Sequence, residues 1–148
     1  MLTGMTRQAQ SCVLLADRHH QLIEGVRDML ESSFDSLFIV ASEFSLTEGV
    51  EHLQPAVVIV DLSLIPGRVS EVIDRVRANS PGTKTLLLCS HDEATVARYA
   101  REALADGVVL KRAIATDLLP AIDAVSANRF FVSPEIGRAS SPDASDTG

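Results

Sequence analysis

"AVVIVDLSLIPG" (56–67) sets five apolar residues ahead of one carboxylate, Asp61, and then a loop closed by Pro66 and Gly67. The unbroken apolar run reads as a strand buried on both faces. A carboxylate where such a strand runs out is either the start of a solvated loop or a functional group, and its neighbours decide which.

Working outward, the apolar period changes repeatedly. Upstream, Leu46, Val50 and Leu53 sit at i, i+4 and i+7 of a helix stopped by Pro55, and downstream Val69, Val72, Ile73 and Val76 mark another. "SCVLLA" (11–16), "LFIVA" (37–41), "TLLLC" (85–89) and "GVVL" (107–110) add four strands. Leu22, Ile23, Val26, Met29 and Leu30 predict a helix over 19–32. Val96, Tyr99, Ala100, Ala103 and Leu104 predict a fourth helix, and Leu118, Leu119, Ile122 and Val125 a fifth. Pro120 is expected within about the first turn and a half of that fifth helix, where a lost backbone donor costs little. Hydrophobic strands separated by amphipathic helices call for an α/β fold, a parallel sheet covered on both faces. The domain is expected over 11–132, between a flexible segment at 1–10 and a mobile tail or linker stub at 133–148.

The chain has 148 residues, enough for one domain with a core, and a net charge of −7, which disfavours nucleic acid and anionic membranes as partners. Cys12 and Cys89 lie in strand-like runs and read as buried free thiols. "MLTGMTRQAQ" (1–10) lacks the apolar stretch of a signal peptide, and no run approaches the roughly 18 apolar residues of a membrane span, so a cytoplasmic location is expected.

In a parallel sheet the ligand crevice lies outside the carboxyl ends of the strands. The polar groups expected there are Asp17 and Arg18, Asp61, Ser90 and His91, and Lys111. Their roles complement one another: a carboxylate nucleophile, a second carboxylate suited to a hard cation, a hydroxyl donor and an ammonium. Such a set can accept a phosphoryl group in line, a reaction that chiefly demands positioning and charge neutralisation. Lys111 has a plainer reading, as one of a surface pair with Arg112. No nucleotide-binding glycine motif follows the first strand, no zinc-type cluster forms around His19, His20, His52 or His91, and Ser90 lacks a nucleophile-elbow sequence.

"VLLADRHHQLIEGVRDML", "AVVIVDLSLIPG", "TLLLCSHDEATVARYAREALADGVVLKR" and "LLPAIDAVSANRFFVSPEI" together resemble the receiver domain of two-component response regulators, over about residues 11–136. The resemblance is to the subfamily usually joined to a LuxR-type helix-turn-helix. It implies a doubly wound, flavodoxin-like five-stranded sheet in the order 2-1-3-4-5. It makes Asp61 the phosphoacceptor, Ser90 the switch hydroxyl and Lys111 the phosphate-facing lysine. It also implies Mg²⁺ held by Asp17, Asp61 and the backbone oxygen of Ser63, and a sensor histidine kinase as donor. Output is implied through a homodimer of the helix 4, strand 5, helix 5 face, with DNA a partner only of a longer parent.

Departures from the pattern matter as well. Arg18 stands where the family has a second acid, Leu64 and Ile65 replace a methionine-proline pair, and Val108 replaces the switch aromatic. Asp17 and Asp61 against Arg18 and Lys111 leave the pocket formally neutral, which weakens its pull on a metal. Two orientations of Arg18 are open: inward, pairing with Asp61 and blocking phosphoryl entry, or outward to water. The expected function is a phosphoacceptor receiver module, able at most to dephosphorylate itself, with switching mainly through Ser90 and K111A folding normally. The alternative is a degenerate receiver acting as a protein-interaction adaptor, and a flavodoxin-like or small hydrolytic enzyme is a third reading.

Overall fold

The computed structural model describes residues 11–18, 20–91 and 94–136, so segment 1–10, His19 and the tail beyond 136 lie outside the described residues. The order is β1 (Cys12–Ala16), α1 (His20–Glu31), β2 (Ser36–Val40), α2 (Glu43–Leu53), β3 (Val57–Asp61), α3 (Val69–Asn79), β4 (Lys84–Cys89), α4 (Ala94–Glu102), β5 (Gly107–Leu110), α5 (Ile114–Ser126) and β6 (Phe131–Val132). The strands form one sheet in the order β2-β1-β3-β4-β5-β6, and all pairs are parallel. No helix among the described residues is long and apolar enough to cross a membrane.

Strand alternation divides the core in two. Leu14, Val58, Val60, Leu87 and Val108 pack with Leu46 and Val50 of α2 and Val72, Ile73 and Val76 of α3. Val13, Leu15, Ile59, Leu88 and Val109 face the other way, onto Val26 and Leu30 of α1 and Leu118, Ala121, Ile122 and Val125 of α5. Both faces of the central strands are therefore dry, which is why they read as continuous hydrophobic runs.

Local chemistry sets the helix ends. The Ser42 hydroxyl accepts the Ser45 N–H at 3.0 Å and caps α2. Gln54 closes that helix in the left-handed region (φ 48°), directly before Pro55. Its Nε2 also donates to the Asn79 carbonyl at 2.9 Å, tying α2 to the end of α3.

Four expectations need correction. The sheet has a sixth strand: β6 pairs with β5 in the register Gly107↔Phe131 and Val108↔Val132. Its approach depends on Gly107, where an added Cβ would lie 2.8 Å from Leu86 Cδ2 and 3.1 Å from the Phe131 carbonyl oxygen. Packing continues past residue 132, because buried Ser133 accepts the Leu110 N–H through its hydroxyl at 2.9 Å and Ile136 enters the core. Pro120 falls in the second turn of α5, deeper than expected, and it is tolerated on an exposed face where the Thr116 carbonyl it cannot pair with has access to water. Leu104, expected on the buried stripe of the fourth helix, lies past the end of α4 with φ 69° and is 55% exposed.

Candidate functional site

The parallel ladder assembles the site. Ala16 pairs with Val60 and Cys89 with Leu110, so the next residues, Asp17 beside Asp61 and Ser90 beside Lys111, emerge together at the carboxyl edge. Asp61 is itself the last residue of β3 rather than the first beyond it. Asp17 and Asp61 are 0% and 1% exposed.

Directly after β3 the chain tightens into a single 3-10 turn, Leu62–Leu64, which Asp61 caps: its Oδ1 accepts the Ser63 N–H at 3.0 Å. The other oxygen, Oδ2, has no well-angled hydrogen bond, and the Lys111 ammonium meets it as an ion pair at 2.6 Å. Lys111 reaches it from a second short 3-10 turn, Lys111–Ala113, that follows β5. Burial pushes the Asp61 carboxyl upward, but the Lys111 ammonium on Oδ2, the Ser63 N–H on Oδ1 and the neighbouring Asp17 carboxyl, which can hydrogen-bond to an ionised Asp61 only by carrying the proton itself, outweigh it. The net effect holds the carboxyl below its ordinary value, so it is ionised at neutral pH.

Arg18 takes the outward of the two orientations left open by the sequence and finds a backbone partner there. Exposed at the rim, it donates from Nη1 to the Ser63 carbonyl oxygen at 3.2 Å. One peptide unit away, the Ser63 N–H serves Asp61, so this turn links the two charges. The carbonyl that the resemblance assigns to Mg²⁺ is thus engaged by a guanidinium. Among the described residues no group of three or more histidine, cysteine, aspartate or glutamate side chains gathers to hold an ion. Two carboxyl groups, one of them already met by an ammonium, with the third donor bonded to a guanidinium, do not fit a hard divalent ion that needs dense oxygen coordination.

Ser90 is exposed at the end of β4, where the Cys89 thiol donates to the His91 carbonyl at 3.2 Å, and the loop to α4 includes residues 92 and 93, outside the described residues. Val108, at the position of the switch aromatic, is fully buried, and its carbonyl accepts the Ser133 N–H at 3.0 Å. The face expected for self-association is therefore altered, since β6 occupies the outer edge of β5. Arg101 of α4 lies 4.0 Å over the Phe130 ring and Arg112 pairs with Glu135 at 3.1 Å, fastening that segment on both flanks. The Ser63 backbone was expected only as a metal-facing oxygen; its N–H on Asp61 Oδ1 follows from the Asx turn that an aspartate two residues earlier favours. Ser133 escaped the sequence reading and carried no local signal.

No family model matches the chain. The nitrate/nitrite response regulator protein NarL of Escherichia coli (strain K12) is 27% identical over 134 residues, which cover 87% of this chain and 61% of that protein. The chain thus spans about three fifths of the length of the curated relatives it matches. The crystal structure of a two-component response regulator, LuxR family, from Aurantimonas sp. SI85-9A1 matches at 26% identity with a TM-score of 0.76, covering 88% of this chain and 94% of that one. The isolated REC domain of RcsB from Salmonella enterica serovar Typhimurium, solved with phosphomimetic BeF3-, shares the fold with a TM-score of 0.73 at 22% identity, covering 87% and 97%. Sequence relatives and structural neighbours converge on one family: the chain has the receiver fold and is similar to two-component response regulators of the LuxR-family branch.

Proposed function

We propose that this receiver accepts a phosphoryl group on Asp61 from the phosphohistidine of a sensor histidine kinase. The observation that carries the reading is the Asp61–Lys111 pair, a buried nucleophile and a partly exposed phosphate-neutralising cation held 2.6 Å apart. Asp61 Oδ2, the oxygen not committed to the Ser63 N–H, attacks phosphorus as the P–N bond breaks, and the electron pair leaves on the imidazole nitrogen. Lys111 then moves from the carboxylate to a phosphoryl oxygen, and the Ser90 hydroxyl donates to another. No step runs through Mg²⁺, because the donor set does not fit it.

Output follows from that exchange of partners. Lys111 sits at the end of β5, and β5 is paired with β6, so its movement is felt on the α4–β5–α5 face as reshaped by β6. Association of two copies there is the proposed response, with DNA contacts belonging to a longer parent chain. The non-phosphorylated adaptor is the second reading, favoured by Arg18 at the pocket rim.

Intact-mass analysis after incubation with phosphoramidate tests the proposal. One added phosphoryl mass in wild type and none in D61N supports it, and an unmodified wild type under every donor assigns the domain to adaptor work. Sedimentation of wild type and S90A, with and without donor, reads the output: a monomer throughout rules out self-association.

A further inference from the structure

The Ser63 backbone is gripped on both sides. Its N–H goes to Asp61 Oδ1 at 3.0 Å, and its carbonyl receives Arg18 Nη1 at 3.2 Å. Arg18 follows buried Asp17 directly, and Lys111 stands on Asp61 Oδ2 at 2.6 Å. The pocket therefore holds a cation on each side of its phosphoacceptor: an ammonium on the carboxylate itself and a guanidinium on the turn that the carboxylate caps.

A divalent ion at this carbonyl would need to approach to about 2.1 Å, onto an oxygen already carrying a charged donor. It would also feel like-charge repulsion from a group that cannot deprotonate. A guanidinium presents five N–H donors, so one bond to Ser63 leaves others for an incoming oxyanion. An exposed position allows it to swing without disturbing the core.

We propose that Arg18 is the resident cation of this pocket: it excludes Mg²⁺ and offers phosphoryl oxygens a second positive charge beside Lys111, so that transfer to Asp61 proceeds without divalent metal. The exclusion rests on geometry alone, and the metal-free transfer rests on the phosphoacceptor reading above. The bonds are those already given: Asp61 Oδ2–P forms, P–N breaks, and the donor nitrogen keeps the electron pair and gains a proton from water.

Two measurements on the full chain separate these parts, with circular dichroism confirming that R18A and R18D fold. Mn²⁺, a paramagnetic stand-in for Mg²⁺, is titrated into wild type, R18A and R18D and followed by electron paramagnetic resonance. Wild type should show no saturable site, whereas R18D should bind at least about tenfold more tightly. Equal affinity in wild type and R18D overturns the exclusion. Phosphoramidate labelling is then timed in EDTA and in MgCl₂. Wild type should label at the same rate in both, R18A should slow in EDTA by about tenfold, and R18D should label only with Mg²⁺. A wild type that labels only with Mg²⁺ overturns metal-free transfer. Absence of label in both buffers removes the phosphoacceptor reading and metal-free transfer with it, while the Mn²⁺ titration still decides whether Arg18 excludes metal.

Discussion

The Lys111 ammonium meets Asp61 Oδ2 at 2.6 Å, with Lys111 20% and Asp61 1% exposed. The two residues belong to the ends of β5 and β3, so the pair bridges across β4, which lies between them. It thus clamps the carboxyl edge of the sheet while keeping the carboxylate ionised. In the proposed function, a phosphoryl group that draws Lys111 away would release this clamp and so turn a change of charge partner into a change of shape.

Replacing Lys111 by methionine should destabilise the domain by ~3 kcal/mol at neutral pH, because it strands buried carboxylates without their cation. Most of that cost should vanish in the D61N background, where Asp61 no longer needs a counter-charge. Urea unfolding of the two single variants and the double variant gives the coupling directly. The sequence alone treats loss of Lys111 as structurally silent, and the ion pair reverses that expectation. Equal costs in the two backgrounds would return Lys111 to a generic packing role.

Acid should weaken the α2–α3 junction. Arg68 donates to both Glu43 carboxylate oxygens at 2.8–3.1 Å, and this hydrogen bonding holds the Glu43 carboxyl below its ordinary value. A depressed carboxyl contributes stability above its unfolded value of about 4.3, and the contribution disappears as pH falls through the lower folded value. E43Q should therefore lower Tm at pH 7 and make little difference once both states are protonated. A gap between wild type and E43Q that is unchanged at low pH would refute this account of the junction.

The central sheet was legible because β1, β3, β4 and β5 are dry on both faces and announce themselves as apolar runs. Asp17, Asp61, Ser90 and Lys111 follow, since each ends or directly succeeds such a run. What stayed hidden depends on contacts remote in sequence. The two residues of β6 are too few to show a period, and its pairing relies on a glycine 24 residues earlier in the register Gly107↔Phe131. Arg18 was recognisable as a departure, but its direction is fixed by a carbonyl 45 residues away. Pro120 was misjudged because propensity marks where a proline is cheap, whereas here water on an exposed face makes it tolerable deeper in the helix.

G107A should lift β6 off the sheet. The new Cβ meets a movable leucine tip at 2.8 Å, but also the Phe131 backbone carbonyl at 3.1 Å, and only displacement of β6 relieves the second contact. The cost is ~1–3 kcal/mol. Hydrogen exchange should accelerate at Phe131 and Ser133, whose N–H groups donate to the Asp106 and Val108 carbonyls. Amides of β1 and β3 should keep their protection. If β6 amides stay as protected as in wild type, Leu86 alone has absorbed the methyl.

S133A tests whether the C-terminal segment steadies the site itself. The Ser133 hydroxyl accepts the Leu110 N–H at 2.9 Å in a fully buried setting, and Leu110 is the residue that leads into the turn bearing Lys111. Alanine leaves that N–H without an acceptor, at a cost of ~1–2 kcal/mol, and water cannot readily replace the hydroxyl in so closed a place. The expected signature is local: faster exchange at the Leu110 amide, and a Lys111 ammonium whose NMR resonance shifts or broadens as the ion pair to Asp61 loosens. Because the Ser133 N–H to Val108 bond is untouched by the substitution, β6 itself should remain paired. That distinction makes the result decisive. Unchanged protection at Leu110 would mean that the β5–β6 ladder alone holds the strand end, and an unchanged Lys111 resonance would mean that the turn is anchored by its pairing with Asp61 rather than by Ser133.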